Sequence, residues 1–143
     1  LCVRLRQAGW KIWRLDNEMT LHDAAMTRAS QWWRRTRRAG YAYAEGAAMH
    51  GAPPERHRVA ETRRALLWGA GIPLAAGLGS LASPWALLIL SAWPGQMLRL
   101  ALSGMPPSRS VFLTLGKLPE ALGVAEYWWK RLRGRRAALI EYK

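Results

Sequence analysis

The sequence predicts a mainly α-helical chain built around an apolar helical hairpin. Residues 65–98 contain no charged side chain, although the whole chain carries 22 Lys and Arg. Ser83-Pro84 divides this apolar stretch into two halves, and helical periodicity recurs on both sides of it. Residues 1–28 differ, because they predict a short helix and two short strands, as at the end of an α/β domain.

The composition restricts the partners of the protein. The chain has 143 residues, enough for one domain, and 22 Lys and Arg against 9 Asp and Glu give it a net charge of +13. Such a charge favours a polyanionic partner, either nucleic acid or the anionic surface of a membrane. The single Cys2 excludes an internal disulfide, and the three histidines lack zinc-site spacing.

The N-terminal region changes its pattern every few residues. The predicted elements are a helix over 1–8 that stops at Gly9, a strand over 11–15, a turn at Asp16-Asn17 and a strand over 18–21 that ends at His22. Leu1 enters directly into the helical pattern, with no initiator Met and no signal-peptide pattern. We therefore interpret the sequence as part of a longer protein.

The apolar region, residues 65–102, predicts a membrane hairpin. Its halves, 65–81 and 85–98, are each shorter than the about 20 apolar residues that one crossing needs. Pro73 lies in the middle of the first half, and Pro94-Gly95 interrupts the second. We expect two short or tilted spans, or a re-entrant pair in one leaflet. The alternative is a buried helical hairpin of a soluble protein.

Tryptophans and basic residues mark the ends of the apolar halves. Indoles favour the headgroup region of a bilayer, and three of them lie near these ends: Trp68, Trp85 and Trp93. Basic residues flank the region on both sides, namely Arg56, Arg58, Arg63 and Arg64 before it, and Arg99, Arg109 and Lys117 after it. By the positive-inside rule, both flanks belong on the cytoplasmic side of the cell inner membrane.

Two further segments predict amphipathic helices at the membrane interface. The first covers residues 29–50 and is followed by a basic linker, residues 51–64. The second lies in the basic C-terminal segment, 103–143, where one face carries Leu118, Leu122, Ala125, Trp129 and Leu132 and the other Lys130, Arg131, Arg133, Arg135 and Arg136. Its predicted interface contacts are Trp128, Trp129 and Arg131. An ordinary packed helix with a solvated basic face is the alternative.

The first residues carry a resemblance to a known family. The run Leu1-Cys2-Val3-Arg4-Leu5-Arg6-Gln7-Ala8-Gly9-Trp10-Lys11-Ile12 resembles the segment that follows the Glu-Asp catalytic motif in bacterial membrane glycosyltransferases of family 2. The resemblance implies that residues 1–28 end a catalytic domain of the GT-A fold. It also implies sugar transfer from a nucleotide-sugar donor to a glycan or lipid acceptor. The acidic pair would precede Leu1, so the catalytic base is not in this chain, and the chain alone is not expected to be active.

His22 resembles the family's position where a histidine helps to bind the divalent metal or the nucleotide diphosphate. The resemblance thus implies Mn²⁺ or Mg²⁺ as a cofactor of the full-length enzyme, with His22 as a metal ligand. A neutral imidazole beside carboxylates suits such a cation. The alternative is a structural histidine held by hydrogen bonds at a strand end.

The run Gln31-Trp32-Trp33-Arg34-Arg35 is similar to the Gln-x-x-Arg-Trp motif of processive members such as cellulose and hyaluronan synthases. Gln31 and Arg34 match, and Arg35 stands in place of the final tryptophan. The resemblance implies donor or acceptor binding by four side chains, Gln31, Arg34, Trp32 and Trp33, whereas Arg35 removes the support for processivity. Alternatively, the arginines here hold an interface helix to anionic lipid.

Two other classes of protein fit parts of the sequence. A non-catalytic membrane anchor or subunit that binds anionic lipid accounts for residues 51–143 and leaves residues 1–35 unexplained. A basic nucleic-acid-binding protein accounts for the charge and the interleaved tryptophans. The charge-free apolar stretch argues against a nucleic-acid partner.

Overall fold

The computed structural model describes residues 2–13 and 26–134. Its α-helices are α1 Cys2–Gln7, α2 Ala29–His50, α3 Val59–Leu66, α4 Ile72–Ser80, α5 Ala92–Leu102, α6 Pro107–Leu115 and α7 Lys117–Leu132. A π-helical segment, Leu67–Gly71, joins α3 to α4, and a 3₁₀ segment, Pro84–Ser91, leads into α5. The mainly α-helical fold class is confirmed.

The predicted N-terminal strands are not seen. Helix α1 is present and ends close to Gly9, whose φ is +83°. Residues 11–13 are not a strand, which is the observed part of the strand expected over 11–15. An isolated strand leaves its amides and carbonyls unpaired, and no second strand lies within the described ranges to pair with it. The rest of that strand, the Asp16-Asn17 turn, the strand over 18–21 and His22 lie outside the described residues.

Helices α2 and α7 pack with their backbones in contact. A Cβ added at Gly40 would collide with the main-chain carbonyl of Glu120, and one added at Gly123 would collide with the carbonyl of Arg37. Glycine is therefore required on both sides of the crossing, because any side chain there would push the helices apart. This contact gives the protein its most closely packed helix pair.

The core lies where α2, α3 and α7 meet. It consists of the buried residues Ala44, Ala65, Val124 and Tyr127. Tyr41 packs against this cluster, and its ring meets that of Tyr127 edge to face with centroids 5.4 Å apart. Small residues dominate the core because the close helix crossing leaves little volume for larger ones.

Two long helices, which we call the arms, extend from the packed pair α2 and α7. Residues 59–80 form a continuous helix made of α3, the π-helical segment and α4, and Pro84–Leu102 forms the second arm. The arms run antiparallel, since Trp93 contacts Trp68, and a Cβ at Gly79 would come 2.8 Å from the Cβ of Ala86. Ser83-Pro84 thus separates two helices, as predicted.

Pro73 explains the π-helical segment. The Ile72 amide donates to the Leu67 carbonyl, five residues back, rather than to the Trp68 carbonyl. In the π register the Trp68 carbonyl would be paired by the amide of residue 73, but proline has no N–H. The indole N–H of Trp93 donates to this carbonyl instead, at 3.2 Å. A proline inside the first arm is therefore accommodated by a bond from the second.

The second proline-containing interruption has a different outcome. Pro94-Gly95 does not break the second arm, since Pro94 is the third residue of α5 and helical structure continues through it to Leu102. The change in the arm is from 3₁₀ to α geometry at Ser91. The basic linker is also shorter than the expected 51–64, since α3 already begins at Val59 and includes Arg63 and Arg64.

Candidate membrane-binding surface

The two arms expose their apolar side chains. None of the helix Pro84–Leu102 is buried, and it is long and apolar enough to cross a membrane. Leu81 and Trp85, at the turn between the arms, are 85% and 77% exposed. Further exposed side chains continue along both arms, including Leu74, Leu78, Leu87, Leu88, Leu98 and Leu102. A continuous apolar surface of this kind indicates contact with lipid or with another protein.

Positive charge is confined to one end of the arms. Arg63 and Arg64 lie in the last turn of α3, and Arg99 lies in the last turn of α5. Because the arms are antiparallel, these three exposed arginines lie at the same end, which we call the open end. The turn at the opposite end, which we call the tip, comprises residues 81–85 and has no charge.

Helix α7 joins the arms at the open end. A Cβ added at Gly69, in the π-helical segment of the first arm, would collide with the main-chain carbonyl of Lys117, the first residue of α7. The pair of α2 and α7 is therefore held beside the arginines and away from the tip. The body of the protein thus lies on the same side as the positive charge.

The apolar stripe of α7 faces outward. The helix buries Glu120, Ala121, Gly123, Val124 and Tyr127 against its neighbours. Of the five residues predicted from the sequence to share an apolar face, Leu122, Ala125, Trp129 and Leu132 are exposed and Leu118 is half-buried. Gly123 and Ala121 lie at the closest contacts with α2 and the first arm, and the four exposed residues of the stripe remain accessible. An interfacial helix requires this arrangement, which an ordinary amphipathic core helix would reverse.

Arginines lie against the aromatic rings of α7. The Arg131 guanidinium lies 5.7 Å from the centroid of Trp128 and donates a hydrogen bond of 2.8 Å to the Tyr127 hydroxyl. The Arg133 guanidinium lies 4.2 Å from the centroid of Trp129. These cation–π contacts keep charge directly over amphipathic rings, the combination that suits a headgroup layer. Arg135 and Arg136 lie outside the described residues.

The tryptophans predicted as interface anchors fall into two groups. Trp85, Trp128 and Trp129 are exposed, as such anchors must be. Trp68 and Trp93 are half-buried between the arms near the open end, and their hydrogen bond connects the arms. This bond was not predicted from the sequence. The local signal for it is a proline five residues after Trp68, which removes the amide that would pair the Trp68 carbonyl in the π register.

The Gln31 to Arg34 run begins α2. Gln31 Oε1 accepts hydrogen bonds from the amides of Thr27 at 3.1 Å and Arg28 at 3.2 Å, so this side chain stabilises the helix start. Trp32 packs edge to face against Phe112 of α6, with centroids 5.3 Å apart. Trp33 and Arg34 are exposed. In the first turns of α2, the indole of Trp32 is therefore held by packing, whereas Trp33 and Arg34 are accessible to a ligand.

Two sets of ion pairs connect distant parts of the chain. Arg6 of α1 pairs with Glu55 at 2.9 Å, and hydrogen bonding from Arg6 lowers the pKa of the Glu55 carboxyl. Glu126 of α7 pairs with Lys130 at 2.7 Å and with Arg37 of α2 at 2.8 Å. The hydrogen bond from Lys130 is the largest cause that lowers the pKa of Glu126. The first pair attaches α1 to the loop before α3, and the second set clamps the α2–α7 crossing.

The predicted metal ligand cannot be placed on this surface, because His22 is outside the described residues. Within 2–13 and 26–134, no group of three or more His, Cys, Asp or Glu is arranged to hold a metal ion. No family model, curated protein or solved structure matches this chain.

Proposed function

We propose that this chain is the membrane-attached C-terminal part of a family 2 glycosyltransferase. The observation that carries the membrane attachment is the apolar helix Pro84–Leu102, which has no buried residue and whose arm pair has arginines at one end only. Apolar surface of this extent is stable in hydrocarbon, and the arginines suit lipid phosphates. Both flanks of the hairpin lie on the cytoplasmic side of the cell inner membrane.

The enzyme identity is supported by the first 35 residues. Residues 1–12 carry the family's Leu, Arg and Gly-Trp spacing, and α1, formed by these residues, is attached by Arg6 to Glu55 in the loop that leads to the arms. The nucleotide-sugar site upstream would thereby be held at the membrane surface, where a lipid or glycan acceptor is present. Gln31, Arg34, Trp32 and Trp33 are the candidate donor or acceptor contacts, and Arg34 could pair with the leaving diphosphate.

Differential centrifugation tests the membrane attachment. The expressed chain should sediment with membranes in high salt and enter the supernatant only with detergent. Recovery in the supernatant without detergent would contradict the membrane attachment and therefore this proposal.

The coding sequence upstream of Leu1 tests the enzyme identity. It should encode a Glu-Asp pair directly before Leu1 and an earlier Asp-x-Asp. Absence of both would leave the second candidate, a non-catalytic anchor or subunit that binds anionic lipid. The outward apolar stripe of α7 fits this candidate as well as it fits the glycosyltransferase.

Substitutions in the full-length protein test the residue roles. Arg34→Lys should lower sugar transfer by about tenfold or more, because a point charge cannot replace a bidentate guanidinium. Arg38→Lys, an exposed change on the same helix, is the matched control and should have little effect. His22→Ala should reduce turnover at limiting Mn²⁺ or Mg²⁺, and unchanged turnover would reject the metal-ligand role.

A further inference from the structure

We infer that residues 65–98 form a re-entrant hairpin, with both arms inserted from the arginine-bearing face and the tip retained inside the bilayer. The inference rests on the proposed membrane attachment and adds its topology and depth. Its partner is the acyl-chain region of a bilayer, bordered on one side by anionic headgroups.

The lengths of the arms set the depth. Residues 65–81 of the first arm span at most about 25 Å at the α-helical rise. The second arm reaches about the same distance over fewer residues, because Pro84–Ser91 is 3₁₀ and rises about 2.0 Å per residue against about 1.5 Å in α5. Residues 84–98 thus span about 26 Å, so the two arms match. The whole helix Pro84–Leu102 is long enough for one crossing, but it includes Arg99, which stays with the headgroups. The charge-free lengths of both arms are shorter than the about 30 Å of hydrocarbon that the tip would have to cross.

Most amides of the tip are paired within the hairpin. The amides of Leu81, Ala82 and Ser83 donate to carbonyls of the first arm at 3.2, 3.0 and 2.9 Å, and Pro84 has no amide to satisfy. The Ala86 amide closes the turn on the Ser83 carbonyl at 3.0 Å. Backbone that enters hydrocarbon must satisfy its polar groups internally. The exposed side chain of Leu81 favours hydrocarbon, and the exposed indole of Trp85 suits the boundary between hydrocarbon and headgroups.

The open end differs from the tip in its charge and in the helices that pack beside it. Arg63, Arg64 and Arg99 lie there, exposed, and the packing of Lys117 on Gly69 holds the α2–α7 body beside them. A hairpin that crossed the membrane completely would place an uncharged, apolar turn in water on the far side. With the tip inside, close to the far boundary of the hydrocarbon, the arginines contact phosphates of one leaflet and the apolar surface is covered by lipid.

Single-cysteine labelling in sealed membranes tests the topology. Cys2→Ser removes the one native cysteine, and single cysteines are then introduced by Ala82→Cys at the tip and by Ala60→Cys and Ser103→Cys beyond the arms, with Ser83→Cys as a second tip position. A membrane-impermeant maleimide is applied to sealed vesicles of both orientations. Ala60→Cys and Ser103→Cys should react from the same face.

Both tip variants should react at least about tenfold more slowly from either face, because water is excluded from hydrocarbon, and should react fully in detergent. A fluorophore attached through Ala82→Cys should be quenched by spin labels on the acyl chains and not by a water-soluble quencher applied from either face. Labelling of the tip from the face opposite Ser103→Cys would overturn the inference in favour of a crossing hairpin. Rapid labelling from the same face would also overturn it. Either result leaves membrane attachment intact, whereas a chain found in the supernatant overturns both.

Discussion

The indole N–H of Trp93 donates a hydrogen bond to the main-chain carbonyl of Trp68 across 3.2 Å. The bond joins the two arms at the place where Pro73 and the π-helical register leave that carbonyl without a main-chain amide. In a lipid-facing hairpin no water is present to replace the missing donor. One side chain therefore satisfies the backbone of the first arm and fixes the register of the second.

Replacing this donor should loosen the hairpin. Trp93→Phe keeps an aromatic ring but leaves the Trp68 carbonyl unsatisfied, which should cost about 1–3 kcal/mol of the free energy of unfolding in detergent micelles. Trp85→Phe, at the exposed tip, is the matched control and should change it little. Denaturant titration followed by far-UV circular dichroism measures both. Equal stability of the two variants would show that the bond contributes nothing.

The glycine contact between α2 and α7 should be intolerant of a methyl group. Gly40→Ala places a Cβ against the Glu120 carbonyl, and because backbone atoms cannot move aside cheaply, the loss should be about 3 kcal/mol or more. Gly95→Ala, in α5 with open space around it, should be neutral or slightly stabilising, because alanine is the better helix former. Thermal unfolding compares the two, and a stable Gly40→Ala protein would contradict the packing.

Acid should weaken the clamp at Glu126. Lys130 and Arg37 lower the pKa of this carboxyl from its ordinary 4.5 in the folded protein. The stabilisation is therefore fully present above pH 4.5 and is lost as pH falls through the lowered folded pKa. Glu126→Gln should be less stable than the wild type at neutral pH, by less than about 1 kcal/mol because the pairs are partly exposed. The difference should vanish in acid, and a gap independent of pH would exclude this titration.

The arginines at the open end should select anionic membranes. Charge near a membrane surface contributes about 1 kcal/mol per basic residue, so Arg63→Gln with Arg64→Gln should lower binding to vesicles containing phosphatidylglycerol by about tenfold or more. Binding to phosphatidylcholine vesicles should not change. Flotation of the cell-free synthesised chain measures both. An equal loss on the two kinds of vesicle would show that the substitutions damaged the fold rather than the headgroup contact.

The outward stripe of α7 should contribute to membrane binding and not to the stability of the fold. Leu122→Gln is an exposed change and should leave thermal stability nearly unaltered while reducing vesicle binding. Val124→Ala lies two residues away but is fully buried (0% exposed), and should lower stability with no direct effect on binding. If Leu122→Gln leaves vesicle binding unchanged, the stripe does not contact lipid.

Much of the helical organisation could be predicted from local pattern. The extent of α2 over residues 29–50, the division of the arms at Ser83-Pro84 and the charge-free apolar stretch follow from periodicity, proline chemistry and composition. The prediction failed where it inferred a strand over 11–15 from alternation in a few residues, because a strand exists only with a pairing partner. Pro94, expected to interrupt the second half, lies inside a helix that continues to Leu102.

The sequence by itself determined most of the helical segments, the turn between the arms and the end at which positive charge accumulates, because each depends on neighbouring residues. The separate helix α6 and the start of α3 inside the expected linker came only from the structure. Only the tertiary structure decided which face of α7 is buried. Its small-residue face meets α2 through Gly40 and Gly123, and its apolar stripe faces outward. Close backbone packing depends on residues far apart in the chain, so no single helix pattern reveals it. The same holds for Trp68 and Trp93, whose hydrogen bond exists because two separate arms lie side by side.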